Sequence, residues 1–276
     1  MKTQPEKCAA FAALHARKGA FVIPNPWDAG SARLLEHLGF QALATTSAGY
    51  AFSCGNRDNT TGREATLAHA SVIVAATDLP VSADLENCFG DAPEIVAETI
   101  RLAAQTGLAG GSVEDSTGRA ESPQYELTHA ADRVRAAVQA AHSLPFPFTL
   151  TARAENYLVG RPDLKETIAR LQAYQQAGAD VLYAPGLTTL EDVAAVVRAV
   201  DRPVNVLAGA QFSVAALAEI GVRRISVGGA LARAAYGAFL LAAREMKEQG
   251  TFRFAEQAIS YREISAIFAE LERGKN

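Results

Sequence analysis

The chain has 276 residues, 49% of them hydrophobic and 20% charged, with 26 Lys and Arg against 30 Asp and Glu and a formal net charge of −4. This composition excludes a disordered segment, which would carry fewer apolar residues and more net charge, and it lacks the basic excess of a nucleic-acid binder. Three cysteines, Cys8, Cys54 and Cys88, include no short-spaced pair, so neither a disulfide framework nor a thiolate zinc site is expected, and the compartment reads as a reducing cytoplasm.

From the N-terminus, the first stretch carries Lys2, Glu6, Lys7, Arg17 and Lys18 and no apolar segment with a cleavage site, so no signal peptide is expected. No apolar run approaches the roughly 18 residues of a membrane span. Short apolar runs then alternate with longer amphipathic stretches, the pattern of βα units. Strands are expected near 20–25, 41–47, 80–86, 109–115, 148–155, 180–185, 203–209 and 223–229. Asp91, in D-A-P-E, is placed to cap a helix over EIVAETIRLAAQ with Glu94 reaching back, and Thr128 and Asp163 are expected to open two more. Gly178 and Gly221 follow helix-like stretches where a left-handed residue turns the chain into the next strand. Eight such units without a Pro/Ser-rich linker predict an α/β fold in one domain, 1–276: a closed (β/α)8 barrel of TIM type. Extra C-terminal helices are expected over 230–249 and, as an extension, 252–273. The apolar positions Phe254, Ile259, Ile264, Ile267 and Phe268 need a covering surface, which a swap between subunits of a homo-oligomer would supply.

Both faces of a barrel strand are buried, so charge inside a strand is costly except at the C-terminal rim. There the charges fall: Asp84 and Glu86 in PVSADLE, Glu114 and Asp115 in GGSVED, and Arg153 and Glu155 in TLTARAE, with Asn205 on the seventh strand. Strand alternation would put Asp84 and Glu86 on one side. Carboxylates without histidine suit Mg²⁺, or Mn²⁺, better than zinc. His15, His37, His69, His129 and His142 all fall in expected helices or their starts, which leaves a Ser-His-Asp arrangement unsupported. None of Lys2, Lys7, Lys18, Lys165, Lys247 and Lys275 is near an expected strand end, which disfavours a Schiff-base aldolase. Enolate charge would then fall to a metal and to Arg153, whose planar fork suits a carboxylate. Thr45, Thr46, Ser47 and Tyr50, at the rim of the second strand, offer a carboxylate cradle, and the glycine loops after strands seven and eight offer a weaker phosphate site. Cys88 reads as core; Trp27 lines the pocket or packs.

The segments N-P-W-D-A-G-S-A-R, T-T-S-A-G-Y, G-N-R-D-N, S-A-D-L-E-N-C-F-G, V-E-D-S, T-A-R-A-E-N-Y, D-V-L-Y-A-P-G, P-V-N-V-L-A-G and I-S-V-G-G-A-L-A-R, in this order, resemble the isocitrate lyase and phosphoenolpyruvate mutase superfamily across nearly the whole barrel. The resemblance implies a barrel that binds Mg²⁺ and a small 2-oxo acid or its enolate. It matches Asp84 to the direct metal ligand, Glu86 to a position usually Asp, and Glu114 and Asp58 to carboxylates that hold the metal mostly through water. It aligns Thr45, Thr46 and Ser47 with the segment gripping the substrate carboxylate, Arg153 with the substrate arginine and Asn205 with a polar pocket residue. It also implies a homodimer or homotetramer with exchanged C-terminal helices. The chain departs from the family after strand four, where D-S-T-G-R-A-E-S-P-Q replaces the K-K/R-C-G-H loop of the isocitrate and methylisocitrate lyases and lacks the mutase lysine, and after strand six, where Pro185 stands near an expected glutamate. These departures argue against isocitrate cleavage and phosphonate rearrangement.

The resulting expectation is a cytoplasmic Mg²⁺-dependent carbon–carbon lyase or decarboxylase acting on small 2-oxo or 2-hydroxy (di)carboxylates through a metal-stabilised enolate, without nucleic-acid or membrane partners. Asp84, Glu86 and Glu114 would hold the metal, with Arg153, Glu114 and Asp58 catalytic; Glu155, Asp115 and Tyr183 are further base candidates. Alternatives are a C–P enzyme of the phosphonopyruvate or phosphoenolpyruvate type, a weakly catalytic 2-oxo-acid-binding protein, and a sugar-phosphate barrel using the glycine loops.

Overall fold

The eight apolar runs form eight short parallel strands: β1 Phe21–Val22, β2 Leu43–Ala44, β3 Val81–Asp84, β4 Gly110–Glu114, β5 Thr149–Arg153, β6 Val181–Tyr183, β7 Val204–Leu207 and β8 Arg224–Ser226. The computed structural model describes residues 2–273. The amphipathic stretches form α1 Gln4–Ala16, α2 Ala29–His37, α3 Ser47–Ser53, α4 Arg63–Ala76, α5 Pro93–Gln105, α6 Leu127–His142, α7 Leu164–Gln176, α8 Leu190–Ala199, α9 Val214–Glu219, α10 Ala230–Gln249 and α11 Tyr261–Arg273, with a 3₁₀ turn at Arg253–Glu256. Neighbours along the sheet run β1-β8-β7-β6-β5-β4-β3-β2. The sheet curls so that β2 returns to β1, where Ala44 N donates to Pro24 O at 3.1 Å. Asn25 strengthens this seam: its Nδ2 donates to Thr45 O at 3.1 Å, and its Oδ1 accepts from Val227 N and Gly228 N at 3.0 and 2.9 Å. This is the α/β barrel architecture expected from the repeat.

The lower mouth is plugged by α1. Cys8, Phe11 and Leu14 form an apolar cluster with Phe21, Ile23, Ala42 and Ala109. Gly110 permits that closure, because a Cβ there would lie 2.5 Å from Thr149 O and 3.0 Å from the Phe11 ring. Leu150 of β5 and the helix residues Ile73, Val96, Ile100, Val134, Leu171 and Tyr174 belong to a continuous shell between sheet and helices.

Local punctuation largely acts as its chemistry dictates. Asp163 caps α7 by accepting from Glu166 N at 2.9 Å, and Gly178 and Gly221 adopt φ of +103° and +95°. Two expectations are corrected. Asp91 does not cap α5, whose N-cap is Ala92; its carboxylate instead accepts from Arg119 Nη1 at 2.9 Å and Tyr125 OH at 2.5 Å, since one residue too early in the chain it cannot reach the first free amides. Likewise α6 starts at Leu127 behind Glu126, which puts Thr128 inside the first turn rather than at the cap.

The C-terminal extension folds back along α2, with Arg33–Glu272 at 3.9 Å and His37–Glu270 at 4.0 Å. Ile264, Ile267, Phe268 and Phe254 are half-buried, whereas Ile259 stays exposed. On and after α10, Phe239, Leu240, Leu241, Met246 and Phe252 are also exposed. Among the described residues no helix is long and apolar enough to cross a membrane.

Candidate active site

At the C-terminal ends of the strands lies a cavity of about 370 Å³ lined by Asn25, Thr45, Thr46, Ser47, Asp58, Ser82, Asp84, Ser112, Arg153, Tyr183, Asn205, Arg224, Ser226 and Arg233, with apolar and glycine positions between them. The strand rims set its parts. Thr45 Oγ1 accepts from Asp84 N at 3.0 Å, which fixes β2 against the end of β3. Asp84 Oδ2 accepts from Ser47 N at 3.2 Å and Ser47 Oγ at 2.8 Å, while Thr46 caps the short helix that starts there.

Arg153 is the hub. Its Nη1 donates to Asp84 Oδ1 at 2.8 Å, its Nη2 lies 3.2 Å from Glu114 Oε2, and its Nε donates to Glu155 Oε1 at 2.9 Å. Its guanidinium also sits 5.1 Å from the Tyr183 ring centroid, within cation–π range. Burial works against this charge, but Glu155, Glu114 and Asp84 outweigh it and hold the Arg153 pKa well above its ordinary value. Burial has the opposite sense for the acids and raises Glu114 well above the usual carboxylate range despite Arg153.

Glu86 reaches this cluster by a route the strand pattern did not foresee. β3 ends at Asp84, and Glu86 stands beyond it with φ of +50°, so a left-handed turn rather than alternation aims the side chain. Its Oε1 is buried without a hydrogen-bond partner, and burial followed by the charges of Asp84 and Asp58 pushes its carboxyl up to about 7. Asp58, on the loop between α3 and α4, lines the cavity and is raised by loss of hydration and by Asp84.

Thr45, Thr46, Ser47, Asp58, Asp84, Arg153 and Asn205 therefore meet at one cavity. Glu86, Glu114 and Glu155 stand behind its wall around Arg153. Tyr50 is placed elsewhere: its ring stacks on His69 with centroids 4.0 Å apart, because the α3 helix turns that side chain toward α4. Asp115 also belongs elsewhere. It pairs with Arg170 Nη1 at 3.1 Å, accepts from Gln124 Nε2 at 3.0 Å and Glu155 N at 2.8 Å, and is bonded by Tyr174 OH, so its lone pairs are spent tying β4, β5 and α7 together. Trp27 does not line the cavity; its carbonyl oxygen lies 2.9 Å from His69 Nε2. Cys88 is core, its thiol pushed up to about 12 by burial. At the eighth-strand glycine loop, Val227 and Gly228 N–H already donate to Asn25, which removes two of the donors a phosphate would need.

Sequence reasoning missed Asn25, Ser226, Arg233 and above all Arg224. Arg224 sits inside β8, where both faces are buried, and a charge in a strand away from its rim was the available signal. Among the described residues no group of three or more His, Cys, Asp or Glu side chains converges as a metal cluster. The donor set nevertheless suits a hard divalent cation that keeps most of its water and few direct protein ligands. The bare buried Oε1 of Glu86, beside Asp58, Asp84 and Glu114 with Arg153 in their midst, leaves unbalanced negative oxygen charge for such a cation to meet.

The phosphoenolpyruvate phosphomutase family profile matches residues 11–247. The chain belongs to this family. Its superfamily comprises lyases and mutases of small carboxylates. A candidate lyase/mutase of Burkholderia cenocepacia J2315 superposes with a TM-score of 0.95 at 62% identity, covering 96% of this chain and 97% of that one. An uncharacterised Mycobacterium tuberculosis protein is 31% identical over 268 residues, 95% of this chain and 97% of its own length. An oxaloacetate decarboxylase of Pseudomonas savastanoi pv. phaseolicola is 25% identical over 274 residues, 95% of this chain and 91% of that protein.

Proposed function

We propose that this family member is a Mg²⁺-dependent carbon–carbon lyase, with decarboxylation of a small 2-oxo dicarboxylate as the reaction that asks least of its residues. The observation that carries the reading is the cavity lining, which offers carboxylates, arginines and hydroxyls but no lysine, histidine or cysteine. Charge that builds up on a substrate oxygen would then fall to the guanidinium groups and to a cation that Asp84 would hold, with Glu86, Glu114 and Asp58 assisting through water. Bound there, the cation would supply Lewis-acid stabilisation of developing negative charge.

The chain's own residues carry the remaining work. A substrate carboxylate arriving beside Arg153 would replace Asp84 as the acceptor of the Ser47 N–H and O–H groups, with Thr46 next to them, while Asp84, Glu114 and Glu155 hold Arg153 in one orientation. Loss of carbon dioxide needs no base; the enolate left behind needs a proton, which a water molecule held by Asp58 on the cavity wall can deliver. Tyr183, pushed up to about 12 by burial, stays neutral and can donate a hydrogen bond.

The loop after Asp115 supports decarboxylation over retro-aldol cleavage. Residues 116–126 contribute nothing to the cavity lining; Ser116 pairs with Gln124, and Arg119 is tied to Asp91 at 2.9 Å. The exposed apolar row of α10, including Phe239 and Leu241, supports association of copies of this chain as a homodimer or homotetramer, and the free thiols of Cys8, Cys54 and Cys88 fit a reducing cytoplasm.

The test measures pyruvate and carbon dioxide release from oxaloacetate, 2-methylisocitrate, isocitrate, 2,3-dimethylmalate and phosphonopyruvate, with Mg²⁺ and with EDTA. Turnover of oxaloacetate that is lost in EDTA, and at least 100-fold lower in Asp84→Ala, is expected. Metal-independent turnover refutes the mechanism, and metal-dependent binding of 2-oxo acids without turnover of any substrate makes the protein a binder.

A further inference from the structure

Two arginines reach the cavity from its strands, and their surroundings differ. Arg153 is paired with three carboxylates. Arg224, only 5% exposed, pairs with none among the described residues. Its Nε donates to Asn205 Oδ1 at 2.9 Å and its Nη2 to Thr151 Oγ1 at 3.0 Å, both neutral acceptors, while its Nη1 is buried with no hydrogen-bond partner among the described residues. Burial, followed by the Arg153 charge, lowers its pKa to about 10, which still leaves it protonated at neutral pH. A buried guanidinium without a counter-ion is costly, and one with an idle N–H group at a ligand cavity is prepared for an anion that arrives with the ligand.

The register fixes where that anion would sit. Thr151 precedes Arg153 by two residues on β5, so both side chains point inward and lie about 6–7 Å apart along the strand. Because Nη2 of Arg224 is held at Thr151, its guanidinium lies one layer below Arg153, on the cavity floor, beside Asn205 and Ser226. The cavity is thus bipolar: a 2-oxo acid end at the rim against Ser47 and Arg153, and a cationic floor beneath it.

We propose that Arg224 sets the specificity of this enzyme, seating a second carboxylate at the far end of the substrate and so selecting short diacids over the corresponding monoacids. This rests on the 2-oxo-acid reading of the rim given above. The planar fork of an arginine, held by Asn205 and Thr151, can turn its unpartnered Nη1 to a carboxylate oxygen with a small shift of the side chains that cover it. A monoacid would leave that group buried and unsatisfied, and this penalty is the source of the discrimination.

The experiment is calorimetric titration, in Mg²⁺, of the wild type, Arg224→Gln and Arg224→Lys with 3,3-difluorooxaloacetate, which has the second carboxylate, and with pyruvate, which lacks it. The wild type is expected to bind the diacid at least tenfold more tightly than pyruvate. In Arg224→Gln the diacid-to-pyruvate affinity ratio should fall at least tenfold, and Arg224→Lys should restore part of it. Loss of affinity for both acids by the same factor in Arg224→Gln would show that the residue only braces the floor and would overturn the proposal. So would equal binding of the two acids by the wild type, or tighter binding of phosphonopyruvate than of the difluoro diacid, which would assign the seat to a phosphonate. If the wild type binds neither acid, the 2-oxo-acid reading itself fails, an outcome distinct from equal binding.

Discussion

Replacing Glu86 by Gln should stabilise the metal-free protein, and by an amount that depends on pH in a defined direction. In the folded chain the Glu86 carboxyl is pushed from 4.5 to about 7, first by burial and then by Asp84 and Asp58. Below pH 4.5 both folded and unfolded forms hold the proton, and the residue contributes nothing. Between pH 4.5 and about 7 the unfolded chain releases the proton while the folded chain retains it, so the wild type loses stability as pH rises; above about 7 the loss is complete. At about 1.4 kcal/mol for each pH unit, the full loss is about 3–4 kcal/mol. Gln has the same shape and no charge, so it removes this penalty. Urea unfolding in EDTA, run from pH 4.5 to 8.5, should show the variant and wild type converging at the acid end and diverging toward neutrality. With a slope of about 2–3 kcal/mol per molar urea, the midpoints should separate by roughly 1–2 M above pH 7. A separation that stays flat with pH, or a variant that becomes the less stable partner as pH rises, would refute the assignment of Glu86 as a strained, uncompensated carboxylate. Adding Mg²⁺ should stabilise the wild type above pH 7 and the variant much less, because the variant lacks the anion that a bound cation would relieve.

Asp115→Ala leaves Arg170 and Tyr174 buried without their shared partner and should cost about 3–5 kcal/mol in thermal or urea unfolding. Ile100→Ala opens a cavity in the fully buried shell between α5 and its neighbours, at a cost of about 2–5 kcal/mol in the same assay, and should leave ligand affinity in the folded protein unaltered. Phe239→Glu places a charge on the exposed apolar row of α10; if that row joins copies of the chain, gel filtration should show a shift to a smaller species, and an unchanged elution volume would remove this face from the interface.

The arrangement of the barrel was legible because it is written in a short-range code. The strands lie within the expected 20–25 through 223–229 segments, since each needs only an apolar run between turn signals, and Gly178 and Gly221 mark helix ends by their own backbone freedom. The rim carboxylates and Arg153 were legible for the same reason: charge at the end of a buried strand is tolerable only where the barrel opens. Which rim residues face the cavity was another matter. Asp84 and Asp115 look alike in sequence, each an acid at a strand end, yet one lines the cavity and the other is consumed by Arg170, Tyr174 and Gln124, partners contributed by α7 and the loop before α6. Tyr50 follows the T-T-S segment directly but is turned onto His69 by the helix it belongs to.

The sequence by itself thus determined the repeat, the parallel sheet it closes into and the oxygen-rich character of the rim, because periodicity and the cost of burying charge act within one unit. Only the tertiary structure decided that Arg153 would be encircled by Asp84, Glu114 and Glu155, that Glu86 would enter through a left-handed turn with an oxygen left bare, and that Arg224 would face the cavity floor without a counter-ion. Those relations join β3, β4, β5 and β8 across the barrel interior, and they exist only once the sheet has curled and brought the strands' inward faces together.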